Sequence, residues 1–208
     1  MVRVINFENA PRHRFLLDAM HRDRKRVFID ILRWPLPHEG ERERDAFDDA
    51  DAEYLVLEDP LTGDHQASLR LLRTDRPHLM SVVFPHLCEQ AVPSGPWIRE
   101  VTRLCLSPRL RARERQQARN RLIRGLVQYA LTMNICALTG VSEQRFLAQV
   151  LSAGWDCVPL GQLCRVEGSL IGAFQINLEE ASISSLIPSW QCAPDDRQLL
   201  ELDRPLAA

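Results

Sequence analysis

Lysine is almost missing from this chain. Lys25 is the only one, and every other basic residue of the 26 is arginine. Both types serve on a solvated surface, so the skew reads as compositional bias and points to no partner. Long hydrophobic runs are also missing. No stretch approaches the roughly 20 apolar residues that a transmembrane helix needs. The opening, MVRVINFENAPRHR, holds no apolar segment of signal-peptide length, so no export is expected and the chain is placed in the cytoplasm. No C-x-x-C pair occurs, and none of Cys88, Cys105, Cys136, Cys157, Cys164 and Cys192 stands at zinc-finger spacing from a histidine. They read as small buried hydrophobes with free thiols, and no metal is expected. Charge of one sign is not in excess either. The formal net charge of -2 supplies no global field for nucleic acid or an anionic membrane.

What is present fits an ordinary soluble globular domain: 208 residues, 45% hydrophobic and 26% charged. The chain divides into one domain over 1–190 and a polar tail over 191–208, with the stretch from Pro188 onward expected to be loose. Residues 2–6 read as a strand. Residues 11–33 read as one helix, with Phe15, Leu16, Ala19, Met20, Val27, Phe28, Ile31 and Leu32 at three- and four-residue steps. Residues 38–52 read as an acidic loop, and 53–59 with 66–74 as a hairpin. Short helical pieces follow over 77–91, then a strand over 97–108, a long helix over about 112–134, a strand over 135–141, a helix over 143–153, and two strands around Gly168. That order implies an α/β (α+β) fold with a single mixed sheet flanked by helices, and one parallel crossover from 98 to 141.

Three groups of residues carry possible chemistry. Arg24 lies one turn from both Met20 and Phe28, on the apolar stripe of its helix. A charge there needs a partner or a ligand, unless its stem packs while its head reaches water. Asp45 and Asp48 could face one way in a helical turn and suit an ammonium or sulfonium group, or belong to a merely solvated loop. Arg70 shares a strand face with Ser68 and is a candidate anion holder or a surface arginine. In the strand WIREVTRLCLSP, strict alternation puts Glu100 and Arg103 on opposite sheet faces. Both can serve one site only if the strand is bulged or broken between them.

Taken in order, RKRVF (24–28), Trp34, DAFD (45–48), RLLRT (70–74) and EVTR (100–103) resemble the invariant set of the acyl-homoserine-lactone synthases, the LuxI-type autoinducer synthases. FPHL (84–87) and LSAGW (151–155) fit the same family, and the resemblance covers about residues 1–185. Leu104 stands where the family usually has phenylalanine, Thr102 where serine is common, and Trp97 three residues before Glu100 rather than beside it.

The resemblance implies an N-acetyltransferase-like fold with two splayed central strands. It implies a quorum-sensing enzyme whose substrates are S-adenosylmethionine and an acyl thioester, on acyl carrier protein or CoA, with no cofactor. The methionine amine attacks the thioester to make an amide. The carboxylate then displaces methylthioadenosine and closes the lactone. Glu100 is the candidate base. Arg24, Phe28, Trp34, Asp45, Asp48, Arg70 and Arg103 are the candidate S-adenosylmethionine residues. The carboxylates meet the cationic end, Arg24 or Arg103 the carboxylate, and the aromatics the adenine or sulfonium. The acyl pocket is expected from Phe84, Leu104, Leu106, Thr139, Val141, Ser142, Phe146, Leu147 and Val150. At least one of the two hydroxyls is expected to point outward or bond backbone, which leans towards a short or medium unsubstituted chain. The arginine-rich start of the long helix would attract pantetheine phosphates or an acidic carrier protein. Two rivals weigh less. An acetyl-CoA-dependent amine acetyltransferase wants a glycine-rich loop near 109–119, which holds no glycine. A nucleic-acid-binding module lacks both overall basic charge and a stacking aromatic in that helix.

Overall fold

The computed structural model describes residues 1–192 and 200–201. Strand β1 (Val2–Ile5) leads through a 3-10 turn at Ala10–His13 into helix α1 (Arg14–Arg24). The next residues, Lys25–Ile31, form a π-helix, closed where the Leu32 N–H bonds the Val27 carbonyl at 2.9 Å. The segment expected as one helix therefore contains three helical forms, which a repeat of three- and four-residue steps does not distinguish. Arg33 then takes a left-handed φ of 60°, and the Trp34 N–H returns to the Phe28 carbonyl at 2.9 Å. The chain thus turns back on the end of the π-helix immediately after the left-handed residue.

The expected acidic loop holds a short hairpin instead, β2 (His38–Glu39) and β3 (Arg42–Glu43), turning at Gly40 with φ 56°. Strands β4 (Glu53–Glu58) and β5 (His65–Arg73) follow, then helix α2 (Leu79–Val83), β6 (Ile98–Leu106), α3 (Ala112–Thr132), β7 (Ala137–Glu143) and α4 (Gln144–Leu151). A strand not foreseen, β8 (Asp156–Pro159), precedes β9 (Cys164–Val166) and β10 (Ser169–Asn177), the pair around Gly168. Helix α5 (Ser182–Ser185) and β11 (Leu200–Glu201) complete the described elements.

Among the described residues, nine strands form one mixed sheet in the order β11-β1-β4-β5-β6-β7-β10-β8, with β9 paired to β10. β6 and β7 are parallel across the α3 connection, as the strand–helix–strand segment required. Their register runs from Ile98↔Ala137 to Val101↔Gly140 and ends there, although both strands continue.

The chain clusters into two compact units. The first comprises Met1–Arg70, Arg103–Leu126 and the C-terminal stretch from Cys192. Its core includes Val2, Ile5, Leu55, Leu57, Leu69, Leu122 and Leu126, all buried. Gly125 is required where α3 meets β1, since a Cβ there would lie 2.8 Å from the Val2 side chain.

The second unit comprises Leu71–Thr102 and Val127–Gln191. Met80, Leu87 and Ala173 form a buried cluster, and Phe84, Cys88, Val92, Val141, Leu160, Cys164 and Ile171 pack half-buried against it. At its C-terminal end, residues 188–191, the start of the tail expected to be loose, pack against the unit. Trp190 is buried, 5.6 Å from Trp155 and 6.2 Å from Phe146 between ring centroids. A tryptophan in a proline-rich stretch keeps its large apolar surface from water, and that holds the segment down. The rest of the polar tail, 193–199 and 202–208, lies outside the described residues.

Candidate functional site

Most of the charged residues singled out in the sequence meet in the first unit, in a closed ring. Arg24 donates from Nε to Glu43 Oε2 at 2.6 Å and, bidentate, to both oxygens of Asp48 at 2.8 and 2.9 Å. Arg70 grips Asp45 at 2.6 and 3.0 Å and reaches Asp48 at 2.9 Å. Arg103 donates from Nε to Glu43 Oε1 at 3.1 Å and from Nη2 to Asp45 Oδ2 at 2.6 Å. Read around, the ring is Arg24–Glu43–Arg103–Asp45–Arg70–Asp48, alternating in sign and returning to Arg24. The Tyr54 hydroxyl donates to Asp48 at 2.8 Å.

Local structure explains how these side chains converge. The β2–β3 hairpin turns Glu43 inward, and the adjacent Arg42 pairs outward with Asp18. The backbone carbonyl of Glu43 accepts the His21 Nδ1–H at 2.9 Å, which ties the hairpin to α1. Asp45 and Asp48 face together because the Asp45 N–H bonds Asp48 Oδ2 at 2.9 Å. β5 is buried along almost its whole length, so Arg70 is an interior residue and not a surface one. Arg24 shows 1% of its side chain, so its head does not reach water.

Arg103 takes φ 52°, a left-handed value rare for any residue but glycine. The regular backbone of β6 is therefore broken at Arg103 itself.

Burial on such a scale would normally suppress ionisation, and pairing reverses it. Burial works against the charge of Asp45, but the Arg70 hydrogen bond and the charges of Arg70 and Arg103 hold its carboxyl below the usual range. Asp48 is held down in the same way, chiefly by Arg24. Arg24 and Arg70 lose hydration, yet Asp48 and Asp45 respectively raise their pKa. The ring is neutral as a whole and rigid in its deeper part. Only Arg103 and Asp45 keep notable exposure, 9% and 10% of their side chains. Among the described residues, Nη1 of Arg103 has no partner, so one edge of that guanidinium is open.

The aromatic pair sits in the same unit. Phe28 is buried and Trp34 half-buried, stacked with ring centroids 5.1 Å apart and planes 3° apart. The guanidinium of Arg103 stands 5.9 Å from the Phe28 ring centre.

Glu100 belongs to the second unit and is fully buried. The Met80 N–H, in the first turn of α2, donates to both its oxygens at 3.0 and 3.1 Å. Burial, and then the charge of Glu100, push the Cys88 thiol up. In the parallel register Thr139 stands opposite Glu100, buried, its Oγ1 without a protein partner.

The acyl-pocket candidates divide. Phe84 and Val141 join the Met80–Leu87–Ala173 cluster. Phe146 packs against Trp190. Leu147 and Val150 are buried on α4, and Ser142 gives its hydroxyl to the Glu143 carbonyl at 3.1 Å. Leu104 and Leu106 are half-buried and fall in the first unit. Sequence reasoning missed Glu43, Met80, Leu87, Cys88 and Ala173. Glu43 lay inside the acidic loop over 38–52, but nothing in its pattern separated it from Glu41 and Asp49.

The family model for autoinducer synthases matches residues 8–186 of this chain. The chain belongs to the autoinducer synthase family. It is 33% identical over 167 residues to the acyl-homoserine-lactone synthase of Rhizobium etli, covering 78% of this chain and 77% of that one. A CoA-dependent acyl-homoserine lactone synthase solved with S-adenosylmethionine and isopentyl-CoA superposes with TM-score 0.84 at 25% identity, over 100% of this chain and 95% of that one. A protein from Lactobacillus plantarum assigned to the N-acetyltransferases shares the fold alone, at TM-score 0.55, 16% identity, and 86% and 99% coverage. Autoinducer synthases are acyltransferases, and the mixed sheet with its flanking helices is of the N-acetyltransferase type.

Proposed function

We propose that this autoinducer synthase condenses S-adenosylmethionine with an acyl thioester into an acyl-homoserine lactone and methylthioadenosine. The observation that carries this reading is the ring with one open edge. The amino-acid end of S-adenosylmethionine is a carboxylate beside an ammonium. Nη1 of Arg103 offers an unpaired donor for the carboxylate, and the partly exposed carboxylate of Asp45, next to it, suits the cation. Arg24, Arg70 and Asp48 are too buried to touch a ligand in this arrangement and act as positioning residues, holding Arg103 and Asp45. Trp34, half-buried and backed by the buried Phe28 ring, presents an aromatic face for the adenine or the sulfonium.

Glu100, as buried as the inner members of the ring, takes the proton from the ammonium through an intervening water, leaving a neutral amine to attack the thioester carbonyl. The sulfur leaves with the acyl carbonyl restored as an amide. The methionine carboxylate then displaces methylthioadenosine, so no external oxidant or cofactor enters. The solved structure with isopentyl-CoA supports CoA as the carrier of the acyl group, with acyl carrier protein as the alternative donor. Apolar residues of the second unit, Phe84, Val141 and the Met80–Leu87–Ala173 cluster, supply the acyl contacts.

The test is direct. Purified protein is incubated with S-adenosylmethionine and a panel of acyl-CoA and acyl-carrier thioesters, and products are read by mass spectrometry. Equal amounts of acyl-homoserine lactone and methylthioadenosine support the reading. Acylation of another amine with no methylthioadenosine would overturn it.

A further inference from the structure

We infer that Glu43 is a positioning residue for the S-adenosylmethionine carboxylate, acting through Arg103; this rests on the function proposed above. Glu43 is fully buried and can touch no ligand. Yet its two oxygens go to two different arginines, Oε2 to Arg24 at 2.6 Å and Oε1 to Arg103 at 3.1 Å. The division has a consequence. Arg103 sits at a left-handed φ of 52°, on a backbone that does not by itself fix where the side chain goes. Two carboxylates fix it: Asp45 holds Nη2 and Glu43 holds Nε. A planar guanidinium held at two of its three nitrogens can present only the third. Nη1 is therefore aimed by Glu43 as much as by Asp45, and Asp45 is partly exposed whereas Glu43 is not.

Glu43 is in turn held from behind. Its backbone carbonyl accepts the Nδ1–H of buried His21, and Arg24 occupies its other oxygen. The fixed end of the guanidinium clamp is thus anchored to α1. Nothing in the sequence marks this, since Glu43 reads as one more acid in the loop over 38–52.

The experiment compares three ligands that differ only at the amino-acid end or the sulfur. S-Adenosylmethionine has the carboxylate and the sulfonium charge. S-Adenosylhomocysteine keeps the carboxylate without that charge. Methylthioadenosine has neither. Binding is measured by calorimetry on the full chain and on Glu43→Gln, with melting curves of both. Losing a charge-assisted constraint on Arg103 should weaken S-adenosylmethionine and S-adenosylhomocysteine alike by about 10- to 100-fold. Methylthioadenosine should stay within about twofold, because its site has lost nothing. Turnover should show a raised KM for S-adenosylmethionine, with the KM for acyl thioester unchanged. Where Glu43→Gln does not fold, Glu43→Asp serves: it keeps the charge but cannot span both arginines, and the same split between ligands is expected. Equal loss of all three ligands with a lowered melting point would make Glu43 merely structural and overturn the inference. Loss of S-adenosylmethionine alone would mean that Glu43 acts on the sulfonium charge, which also overturns it. A wild-type protein that binds none of the three removes the underlying function and this inference with it.

Discussion

Thr139 stands opposite Glu100 in the parallel register of β6 and β7, and its buried hydroxyl has no protein partner, whereas the hydroxyl of Ser142 is taken by the Glu143 carbonyl. Of the two hydroxyls expected near the acyl group, only Thr139 is left to bond a substrate oxygen. A buried hydroxyl without a partner costs about 1–3 kcal/mol, which a 3-oxo or 3-hydroxy group would recover. Competition between 3-oxo and plain acyl thioesters of equal length should favour the oxygenated form by about tenfold or more, and Thr139→Val should erase that preference. Equal rates in the wild type would restore the unsubstituted chain suggested by the sequence.

Glu100→Gln keeps the shape that receives the Met80 N–H but cannot take a proton. Turnover should fall by roughly 10²–10⁴-fold with S-adenosylmethionine affinity preserved. A near-normal rate would remove Glu100 from the role of base.

Depth in the ring should decide what each arginine does when lost. Arg24 is 1% exposed, so Arg24→Met takes one of two cationic partners from each of the buried acids Glu43 and Asp48 and should destabilise the fold by about 3–5 kcal/mol in denaturant titrations. Arg103 lies at the open edge, where water can replace it. Arg103→Gln should cost far less stability while abolishing measurable S-adenosylmethionine binding. The reverse ranking would show that ligand contact lies elsewhere.

Trp34 packs flat on Phe28 but keeps one face half-exposed. Trp34→Ala should raise the KM for S-adenosylmethionine while the melting temperature without ligand stays nearly unchanged. If the apo protein melts early instead, the stack is a helix-end contact and no ligand surface.

Acid should weaken the fold through His21. Burial first, then the adjacent Arg24 charge, lower its pKa from 6.5 to about 4. The unfolded chain then takes up a proton below about pH 6.5 that the folded protein refuses. Stability is fully present above that value and is lost as pH falls towards 4, by about 2 kcal/mol at pH 5. His65, also pushed down chiefly by burial, adds to the same loss. Denaturant midpoints at pH 7.5 and pH 5 should differ accordingly, and less so in His21→Gln. An unchanged difference in the variant would assign the effect to other groups.

The fold was legible where burial follows a period. The hydrophobic alternation of 53–59 and 66–74 and the stripe of the long helix gave the sheet and the crossover, because apolar faces must be covered whatever their neighbours are. The ring was half legible. Arg24, Asp45, Asp48, Arg70 and Arg103 stood out as charges in apolar or paired positions, but their partners were open, since pairing is made by elements far apart in sequence. Glu43 was invisible because a short hairpin turns it inward, and two-residue strands leave no periodic trace. Likewise the π-helix at 25–31 and the left-handed Arg103 are backbone choices that the side chains alone do not announce.

Because the six charges close on themselves, each member has two neighbours of opposite sign, and no single replacement of a charged residue by a neutral one leaves the remainder balanced. Neutralising one deep member therefore leaves its two neighbours each short of a partner in the interior. Exchange is open only in pairs, an acid and a base together, and at the deep positions both must go while their volume is refilled. The ring is in this sense a unit of inheritance: drift can repaint the surface around it, but it is kept whole or given up whole.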